Sequence, residues 1–428
     1  MRLEVGYVNI KDVVFGSKTE FKGGVLTVNK EDIISLIKED DHIESVELDV
    51  AKPGESTRIT PVKDVVEPRV KVEGPGGVFP GVLSNVEQVG SGKTHVMRGM
   101  TVMTCGKIVG FQEGIVDMSG VGADYTPFSK TVNLVLKVEV IPSLKQHEHE
   151  KAVRFAGFKA AAFVAETVRN AVPDEIKVYE VDKILEGIEK HKGLPRIGYV
   201  QMIQTQGLLH DTYVYGVDGK QIIPTILYPT ECMDGAIVSG NCVSACDKNT
   251  TYHQMNNPVV HDLLEHHGKD LYFVGVIVTN ENVYLADKER SSNMTAKLAE
   301  FLELDGVIIS QEGFGNPDTD LIMNCKKVEK KGIPTVIITD EYAGRDGASQ
   351  SLADSDPLAT AAVTGGNANE VIELPPMNKI IGTLDFVDTI AGGAAGSLHK
   401  DGSITVELQA ITGATNEVGF NRLSAKTL

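Results

Sequence analysis

Between residues 271 and 340 the chain alternates short apolar runs with stretches of helical pattern. The apolar runs have the length of strands and are rich in Val and Ile, which is typical of strands buried on both faces. Because consecutive parallel strands need a crossover connection, this order predicts a parallel sheet with helices on its faces. The predicted strands are 271–279, 306–310 and 334–339, and the predicted helices are 288–303 and 319–331.

Ligands of parallel sheets bind at the carboxyl ends of the strands. Those ends are residues 279–281, 310–312 and 339–341, and each of them contains an acidic residue. We expect the loops there to contact a substrate. An anionic group of that substrate would be held by backbone amides, because the acidic balance of the chain leaves few free cations.

The first 145 residues have a pattern of strands and turns, with Val-rich and Gly-rich pieces in alternation. The run at 131–141 predicts a long buried strand, and apolar residues at three- and four-residue steps predict a helix near 149–170. We therefore expect an α/β protein, in which a β-rich amino-terminal part precedes a carboxyl-terminal parallel-sheet domain of Rossmann-like type. At 428 residues, the chain has room for two or three domains.

The formal net charge of −18 makes a nucleic acid partner unexpected, because such a chain repels a phosphate backbone. The apolar runs are too short for a membrane span, and the amino terminus lacks the apolar stretch of a signal peptide. An odd number of cysteines in a long chain favours a reducing cytoplasm over a disulfide framework. The cysteines are Cys105, Cys232, Cys242, Cys246 and Cys325.

Three short motifs resemble known sites, but each lacks a defining residue. Residues 90–94 end like a phosphate-binding loop, but Glu87 stands where its first glycine belongs. Residues 313–318 begin like a dinucleotide fingerprint, but Asp318 replaces the third glycine. Residues 147–150 begin like a zinc-protease motif that lacks its second histidine. We expect turns and solvated histidines at these places, and no metal site.

The junction between Asn241 and Cys242 offers the most reactive chemistry in the chain. A thiol follows a carbonyl that it can attack, within a run of small residues at 239–247 that lets the backbone bend. The dipeptide can be inert, or the chain can be cut and Cys242 can act as an amino-terminal thiol nucleophile. In a third outcome, Cys242 attacks the Asn241 carbonyl and is converted to a pyruvoyl group. Residue types alone leave the three outcomes open, and they also leave open the role of Cys246.

Residues 240–247, with the sequence Gly-Asn-Cys-Val-Ser-Ala-Cys-Asp, resemble the precursors of the component B subunits of glycine reductase. The resemblance extends over the whole chain and includes residues 228–236, 204–213 and 363–370. Sarcosine, betaine and D-proline reductase precursors are close relatives within this family.

The resemblance implies the third outcome at the junction. The precursor would cut itself between Asn241 and Cys242, which gives one subunit of residues 1–241 and a second of residues 242–428. Cys242 would become a covalent pyruvoyl group that serves as the cofactor, and Asn241 would supply the attacked carbonyl.

The resemblance also implies an oxidoreductase that cleaves a C–N bond reductively. The amine of glycine would form a Schiff base with the pyruvoyl group, and a partner subunit that contains selenocysteine would displace the nitrogen. Components A and C of the complex and a thioredoxin-type reductant would complete the reaction, which yields acetyl phosphate and ammonia. Such a protein is expected in the cytoplasm during amino-acid fermentation, within a hetero-oligomer and away from membranes.

Three alternatives stay open at this point. The substrate could be sarcosine or betaine, although the quaternary nitrogen of betaine cannot form an imine. An amino-terminal cysteine hydrolase would also be cut, but it would keep the thiol of Cys242. A scaffold subunit that binds a small molecule on the sheet after residue 271 would remain a single chain and would ignore carbonyl reagents.

Overall fold

The computed structural model describes residues 1–108, 110–205, 212–239, 249–415 and 424–426. These residues form a mixed α/β structure with six sheets. The helices are α1 (Lys30–Ile37), α2 (Gln146–Ala165), α3 (Ile184–Lys190), α4 (Pro229–Met233), α5 (Thr251–Met255), α6 (Pro258–His266), α7 (Leu285–Phe301) and α8 (Asn316–Glu329), with short 3-10 turns at Val121–Tyr125, Pro127–Lys130, Glu166–Val168, Gly219–Gln221 and Leu408–Ala410.

The strands that build the sheets are mostly short, and they occur along the whole chain. They are β1 (Arg2–Asn9), β2 (Asp12–Phe15), β3 (Glu20–Lys22), β4 (Val25–Val28), β5 (Ile43–Ala51), β6 (Thr57–Val66), β7 (Arg69–Glu73), β8 (Gly92–Arg98), β9 (Met100–Cys105), β10 (Gly114–Asp117), β11 (Val132–Val140), β12 (Glu175–Glu180), β13 (Arg196–Ile203), β14 (Tyr213–Val214), β15 (Val217–Asp218), β16 (Thr225–Leu227), β17 (Ile237–Val238), β18 (Tyr272–Asn280), β19 (Gly306–Ser310), β20 (Thr335–Glu341), β21 (Ala362–Asn367), β22 (Val371–Leu374), β23 (Lys379–Gly382), β24 (Ile404–Glu407) and β25 (Ser424–Lys426).

Two sheets dominate the amino-terminal part, with strand orders β12-β1-β8-β7 and β10-β6-β9-β11-β5. Helix α2 begins where the Glu148 side chain accepts a hydrogen bond from the Lys145 backbone N–H at 3.3 Å. Its apolar face is buried with strands of these sheets, since Phe158 and Val164 share one hydrophobic cluster with Val102. Burial of this face, rather than intrinsic helix propensity, supplies most of the stability of such a helix.

The largest sheet has seven strands in the order β16-β18-β13-β19-β20-β21-β25. Its inner strands β18, β13, β19, β20 and β21 are parallel, and the edge strands β16 and β25 are antiparallel. Every residue of β18 is buried, as expected for a parallel strand covered on both faces. Numbered along the chain, the parallel strands follow the order 2-1-3-4-5, which is the flavodoxin-like order of doubly wound sheets.

The predicted α/β class is confirmed, but the Rossmann-like, purely carboxyl-terminal sheet is not. Strand β13 lies between β18 and β19, although it belongs to residues 1–241. In the other direction, β23 pairs with β6 of the amino-terminal sheet. The two parts of the chain therefore interlock. Pairing between strands far apart in sequence leaves no local pattern, so the periodicity after residue 271 could not reveal it.

The individual elements after residue 271 follow their predicted positions closely. The strand predicted at 306–310 is β19, and the helices predicted at 288–303 and 319–331 begin three residues earlier as α7 and α8. In the amino-terminal part, the long strand predicted at 131–141 is β11. In the described part of the chain, no helix combines the length and the apolar character needed to cross a membrane.

Candidate functional site

Asn241 and Cys242, the site residues predicted from the sequence, lie outside the described residues, and so does Cys246. The described chain stops at Ser239 and resumes at Asn249. Covalent geometry keeps the Cα atom of residue 242 within about 11 Å of the Cα atom of Ser239, because an extended residue spans at most about 3.6 Å. The surroundings of Ser239 therefore define the region where the predicted chemistry would occur.

Buried hydrogen bonds hold the two ends of segment 240–248 together. Ser239 Oγ donates to the Asn249 carbonyl oxygen at 3.1 Å, and Ser239 N donates to Thr251 Oγ1 at 3.2 Å. Thr251 then donates its backbone N–H and its hydroxyl to the Asp64 carboxylate, at 2.9 and 2.7 Å. We call Ser239, Asn249, Thr251 and Asp64 the clamp. Because Asp64 belongs to β6, the clamp fixes both ends of the segment to the amino-terminal sheet.

The clamp is completely buried, and this shifts the titration of its acidic member. Burial raises the pKa of Asp64 from 3.8 to about 6, against the lowering effect of the hydrogen bonds from Thr251 and Val65. The Arg154 guanidinium also lowers the pKa of Asp64, which places a buried cation near the clamp.

A short strand pair brings a second segment to the same place. Tyr213 in β14 pairs with Val238 in β17 in antiparallel register. Consequently Thr212, which precedes Tyr213, and Ser239, which follows Val238, leave this pair at the same end. The described residues Thr212 and Ser239, which follow and precede two undescribed segments, therefore lie at the same end of this pair.

Four buried carboxyl groups lie at the carboxyl ends of the parallel strands, where the sequence predicted a ligand site. Glu281 follows β18, Glu312 follows β19, Asp340 lies near the end of β20, and Asp318 lies in the first turn of α8. We call these four groups the acidic edge.

Glu312 connects the acidic edge to the residues around both segments. Its carboxylate accepts hydrogen bonds from Gln204 N at 2.7 Å, from Thr212 Oγ1 at 2.7 Å and from Gln254 Nε2 at 3.0 Å. Gln254 belongs to α5, which also carries Thr251 of the clamp. One carboxylate therefore ties together the beginning of segment 206–211, its end, and the helix that follows segment 240–248.

Backbone amides at the acidic edge are already engaged by carboxylates. Glu281 Oε1 accepts hydrogen bonds from the N–H groups of Glu312 and Gly313, at 2.8 and 3.1 Å. The Gln204 N–H is used by Glu312 in the same way. These three amides are thus not available to a substrate carboxylate, and the role of the other amides after the sheet strands stays a prediction.

Two carboxyl groups of the acidic edge hold protons more tightly than usual. Burial raises the pKa of Glu281 well above its ordinary value, and the nearby Glu312 carboxylate raises it further. Burial also raises the pKa of Asp318 to about 6. A group that titrates near 6, such as Asp318, is suited to accept and return a proton near neutral pH.

His253, close to the clamp on α5, is a neutral imidazole. Burial lowers its pKa to about 3. Its Nδ1 atom accepts the Thr250 backbone N–H at 3.0 Å, so the proton of the neutral ring is on Nε2. The histidine therefore offers an N–H donor rather than a base at Nδ1.

The cysteines that the structure describes are not suited to nucleophilic chemistry. Cys105, Cys232 and Cys325 are buried and free. Burial raises the pKa of the Cys105 thiol to about 12 and also raises the pKa values of Cys232 and Cys325. A thiol with such a pKa is scarcely ionised at neutral pH.

Away from this region, Asp182, His191 and His267 form a cluster with the spacing of metal ligands. Their other contacts argue against that role. His267 Nδ1 accepts the Phe273 N–H at 3.2 Å, so Nε2 carries the proton and has no lone pair for a metal. The Lys190 ammonium donates to Asp182 at 2.9 Å. We interpret the cluster as a hydrogen-bonded ion-pair network.

The sequence predicted the strand ends that carry most of the acidic edge, but it did not predict the clamp. The acidic residues after each predicted strand were visible as strand ends. Asp64 was missed because it contacts Thr251 across 187 residues of sequence, and no local pattern marks such a contact.

Comparison with known proteins gives an independent view of this chain. The profile of the family described as glycine/sarcosine/betaine reductase component B subunits matches residues 1–426. The chain is 67% identical over 429 residues to "Glycine reductase complex component B subunits alpha and beta" of Acetoanaerobium sticklandii. It is 67% identical over 426 residues to a protein of the same name from Peptoclostridium acidaminophilum. Both alignments cover 100% of this chain and 100% of the relative.

A third relative, "Sarcosine reductase complex component B subunit alpha" of Peptoclostridium acidaminophilum, is 57% identical over 426 residues and is again covered completely. No solved structure matches the chain. The match of the family profile over nearly every residue, together with these identities, shows that the chain belongs to the family of glycine, sarcosine and betaine reductase component B subunits.

Proposed function

We propose that this chain is the precursor of two glycine reductase subunits and that it is cut between Asn241 and Cys242. The observation that carries the proposal is that both glycine reductase relatives match this chain from end to end and are each named as two subunits, alpha and beta. A chain that yields two subunits must be cut, and Asn241-Cys242 is the junction where the residues themselves offer the chemistry. The greater identity to these two relatives than to the sarcosine relative favours glycine as the substrate.

The proposed cut needs no reagent beyond water. The Cys242 thiolate attacks the Asn241 carbonyl carbon, and the acyl group moves from nitrogen to sulfur. Loss of the α-proton and of the Cβ–S bond at residue 242 releases residues 1–241 as a thiocarboxylate and leaves dehydroalanine. Tautomerisation and hydrolysis then release ammonia and leave the pyruvoyl ketone. A second water converts the thiocarboxylate to a carboxylate and hydrogen sulfide.

The described residues fit a keto group at this place. The clamp holds Ser239 and Asn249 in buried positions, so both new ends would stay next to the acidic edge after the cut. The keto group would supply an electrophilic carbonyl that captures a primary amine. Glu281, whose pKa is raised by burial, would serve as a proton donor in this chemistry.

The names of the relatives describe components of a complex, so the subunits would act within a larger assembly. We propose a partner subunit that contains selenocysteine, components A and C, and a thioredoxin-type reductant, in the cytoplasm. The overall reaction would be reductive C–N cleavage of glycine, with acetyl phosphate and ammonia as products.

Replacement of the proposed nucleophile tests the cut. Cys242→Ala removes the only atom that can attack the Asn241 carbonyl in this scheme, so we expect a single uncut chain and no glycine-dependent activity. The matched control is Cys246→Ala, in the same segment, which should still give two pieces on a denaturing gel. Separation of the Cys242→Ala chain into the same two pieces would contradict the proposed cut.

A carbonyl reagent separates the proposed cofactor from an amino-terminal cysteine hydrolase. The carboxyl-terminal piece of the native protein should react with a hydrazide at residue 242 and should ignore thiol reagents there. A piece that reacts as a thiol at residue 242 would instead support the hydrolase.

A further inference from the structure

A small cavity lies between helix α2 and the strand pair β14–β17. Its volume is about 130 Å³, which suits a molecule of a few heavy atoms rather than a large cofactor. We call it the basic cavity, because the charged residues in its described lining are Lys151 and Arg154, one turn apart on α2, and no carboxylate occurs among those described lining residues. Tyr213 and Val238, which pair in β14–β17, line it as well.

Arg154 is a buried cation whose hydrogen bonding is incomplete. The residue is 4% exposed, and its Nη1 atom has no hydrogen-bond partner in the part of the chain that the structure describes. The Tyr213 side chain, through a hydrogen bond and its charge distribution, favours the charged guanidinium most, and Asp64 and Asp218 favour it less strongly. A buried N–H group without a hydrogen bond is uncommon in native proteins, so the unpaired Nη1 atom calls for an explanation.

The guanidinium is also held in a fixed orientation. Its carbon atom lies 4.3 Å from the centre of the Tyr213 ring, in a cation–π contact. Tyr213 also takes a hydrogen bond from the guanidinium, and the Nη1 atom stays without a partner among the described residues. A planar guanidinium presents its N–H groups in a fork that matches a carboxylate. Gly81, which lines the cavity, cannot be replaced by a larger residue without a rearrangement, because a Cβ atom there would lie 2.1 Å from the Tyr215 carbonyl oxygen.

Covalent geometry limits the distance between the basic cavity and the proposed keto group. Val238 lines the cavity and precedes residue 242 by four positions, so their Cα atoms are at most about 14 Å apart. This limit allows the carboxylate of a substrate to lie in the cavity while its amine meets the keto group. Arg154 also supplies donors for a carboxylate. At the acidic edge, the N–H groups of Gln204, Glu312 and Gly313 already donate to Glu312 or Glu281.

We propose that the basic cavity binds the carboxylate of the amino-acid substrate through the Arg154 guanidinium, while Lys151 attracts the anion at the solvent-exposed mouth. This inference rests on the proposed function for the identity of the substrate, whereas the binding of a small carboxylate does not require a keto group. Arg154 is a substrate-binding residue in this account, and Lys151 contributes only long-range attraction.

Binding can be measured without the keto group. The uncut Cys242→Ala chain is titrated with fluoroacetate, and the line width of the fluorine NMR signal reports binding. Adding Arg154→Met should weaken binding roughly 10- to 100-fold, the usual value of a hydrogen-bonded charge pair. The matched control Lys151→Gln, on the same helix and with the same loss of charge, should weaken it by less than about 5-fold, because exposed ion pairs contribute little. Equal binding before and after Arg154→Met overturns the proposal.

A second arm uses the native, cut protein and distinguishes the two proposals. Borohydride reduction in the presence of labelled glycine or labelled methylamine fixes either amine to a keto group. Arg154→Met should lower the labelling by glycine and leave the labelling by methylamine unchanged, because only glycine carries a carboxylate. An equal decrease for both amines, or no decrease, contradicts the role of Arg154. If the unsubstituted protein fixes neither amine, the keto group is wrong, and the fluoroacetate titration still decides the role of the basic cavity.

A further control distinguishes a loss of binding from a loss of folding in Arg154→Met. Arg154→Lys keeps the charge but not the fork, and its unfolding temperature is measured beside that of Arg154→Met. If both variants unfold, acetate is added to the unsubstituted native protein. Acetate should then compete with glycine labelling but not with methylamine labelling, and failure to compete with glycine overturns the proposal.

Discussion

The acidic edge and the basic cavity are neighbours with opposite chemistry. Thr212 donates to Glu312 of the acidic edge, whereas the next residue, Tyr213, lies against Arg154 in the basic cavity. Successive side chains of an extended chain point to opposite faces, so one short strand separates the two regions. In the proposed account, the acidic edge would supply protons for the reaction of the substrate amine and the basic cavity would bind the substrate carboxylate, so the two regions match the two ends of an amino acid.

The two regions also come from different parts of the chain. The carboxyl groups of the acidic edge follow residue 242, whereas the lining of the basic cavity precedes residue 241. After a cut at residue 241, neither piece would hold both regions. The two pieces would stay together because β13 lies within the sheet of the second piece and β23 extends the sheet of the first.

Asp64 interacts electrostatically with Arg154 of the basic cavity, and its titration gives the largest expected change in stability. Its pKa rises from 3.8 to about 6 on folding, so the folded protein holds this proton more tightly than the unfolded chain. The stability from Asp64 is therefore complete below about pH 4 and is lost as the pH rises through about 6. A shift of two units corresponds to about 3 kcal/mol in the free energy of unfolding.

Urea unfolding at several pH values checks this sign. The difference in unfolding free energy between pH 4 and pH 8 should be about 3 kcal/mol smaller in Asp64→Asn than in the unsubstituted protein. Identical pH profiles for the two proteins would show that Asp64 does not titrate as its burial requires.

The substitution Glu312→Gln tests the role of the acidic edge. The Glu312 carboxylate accepts hydrogen bonds from Gln204, Thr212 and Gln254. The glutamine side chain replaces one accepting oxygen by an NH₂ donor, so at least one of these hydrogen bonds is lost. We expect the free energy of unfolding to fall by roughly 1.5–3 kcal/mol. Labelling by glycine and by methylamine should fall together, because this side does not recognise the carboxylate. A selective loss of glycine labelling would reverse the assignment of the two regions.

A surface glutamate provides the control for that change. Glu300→Gln removes an ion pair with Lys331 at 2.9 Å, in which the Glu300 side chain is 52% exposed. The expected change in unfolding free energy is within about 0.5 kcal/mol, and amine labelling should not change.

The parts of the fold that could be predicted are those with a local signal. Strand β19 and helices α7 and α8 were visible because periodicity and a proline in the first turn are local features. The position of β13 in the central sheet was not visible, because strands that are far apart in sequence pair without a local mark.

The candidate site follows the same rule. The reactive junction could be found from two adjacent residues, Asn241 and Cys242. Arg154 could not, because a single arginine in a helix has the same sequence signal whether it is solvated or buried. Only the packing of α2 against β14–β17 shows that this arginine is buried in a cavity.

The intact mass of the native protein tests the central claim most directly. The account predicts two pieces that elute together under native conditions and separate in denaturant, with a junction between residues 241 and 242. The second piece should be lighter than a chain of residues 242–428 that begins with an intact cysteine, because sulfur has left and a ketone oxygen has replaced the amine. A single chain of 428 residues, or a second piece whose mass retains the cysteine, would contradict the account.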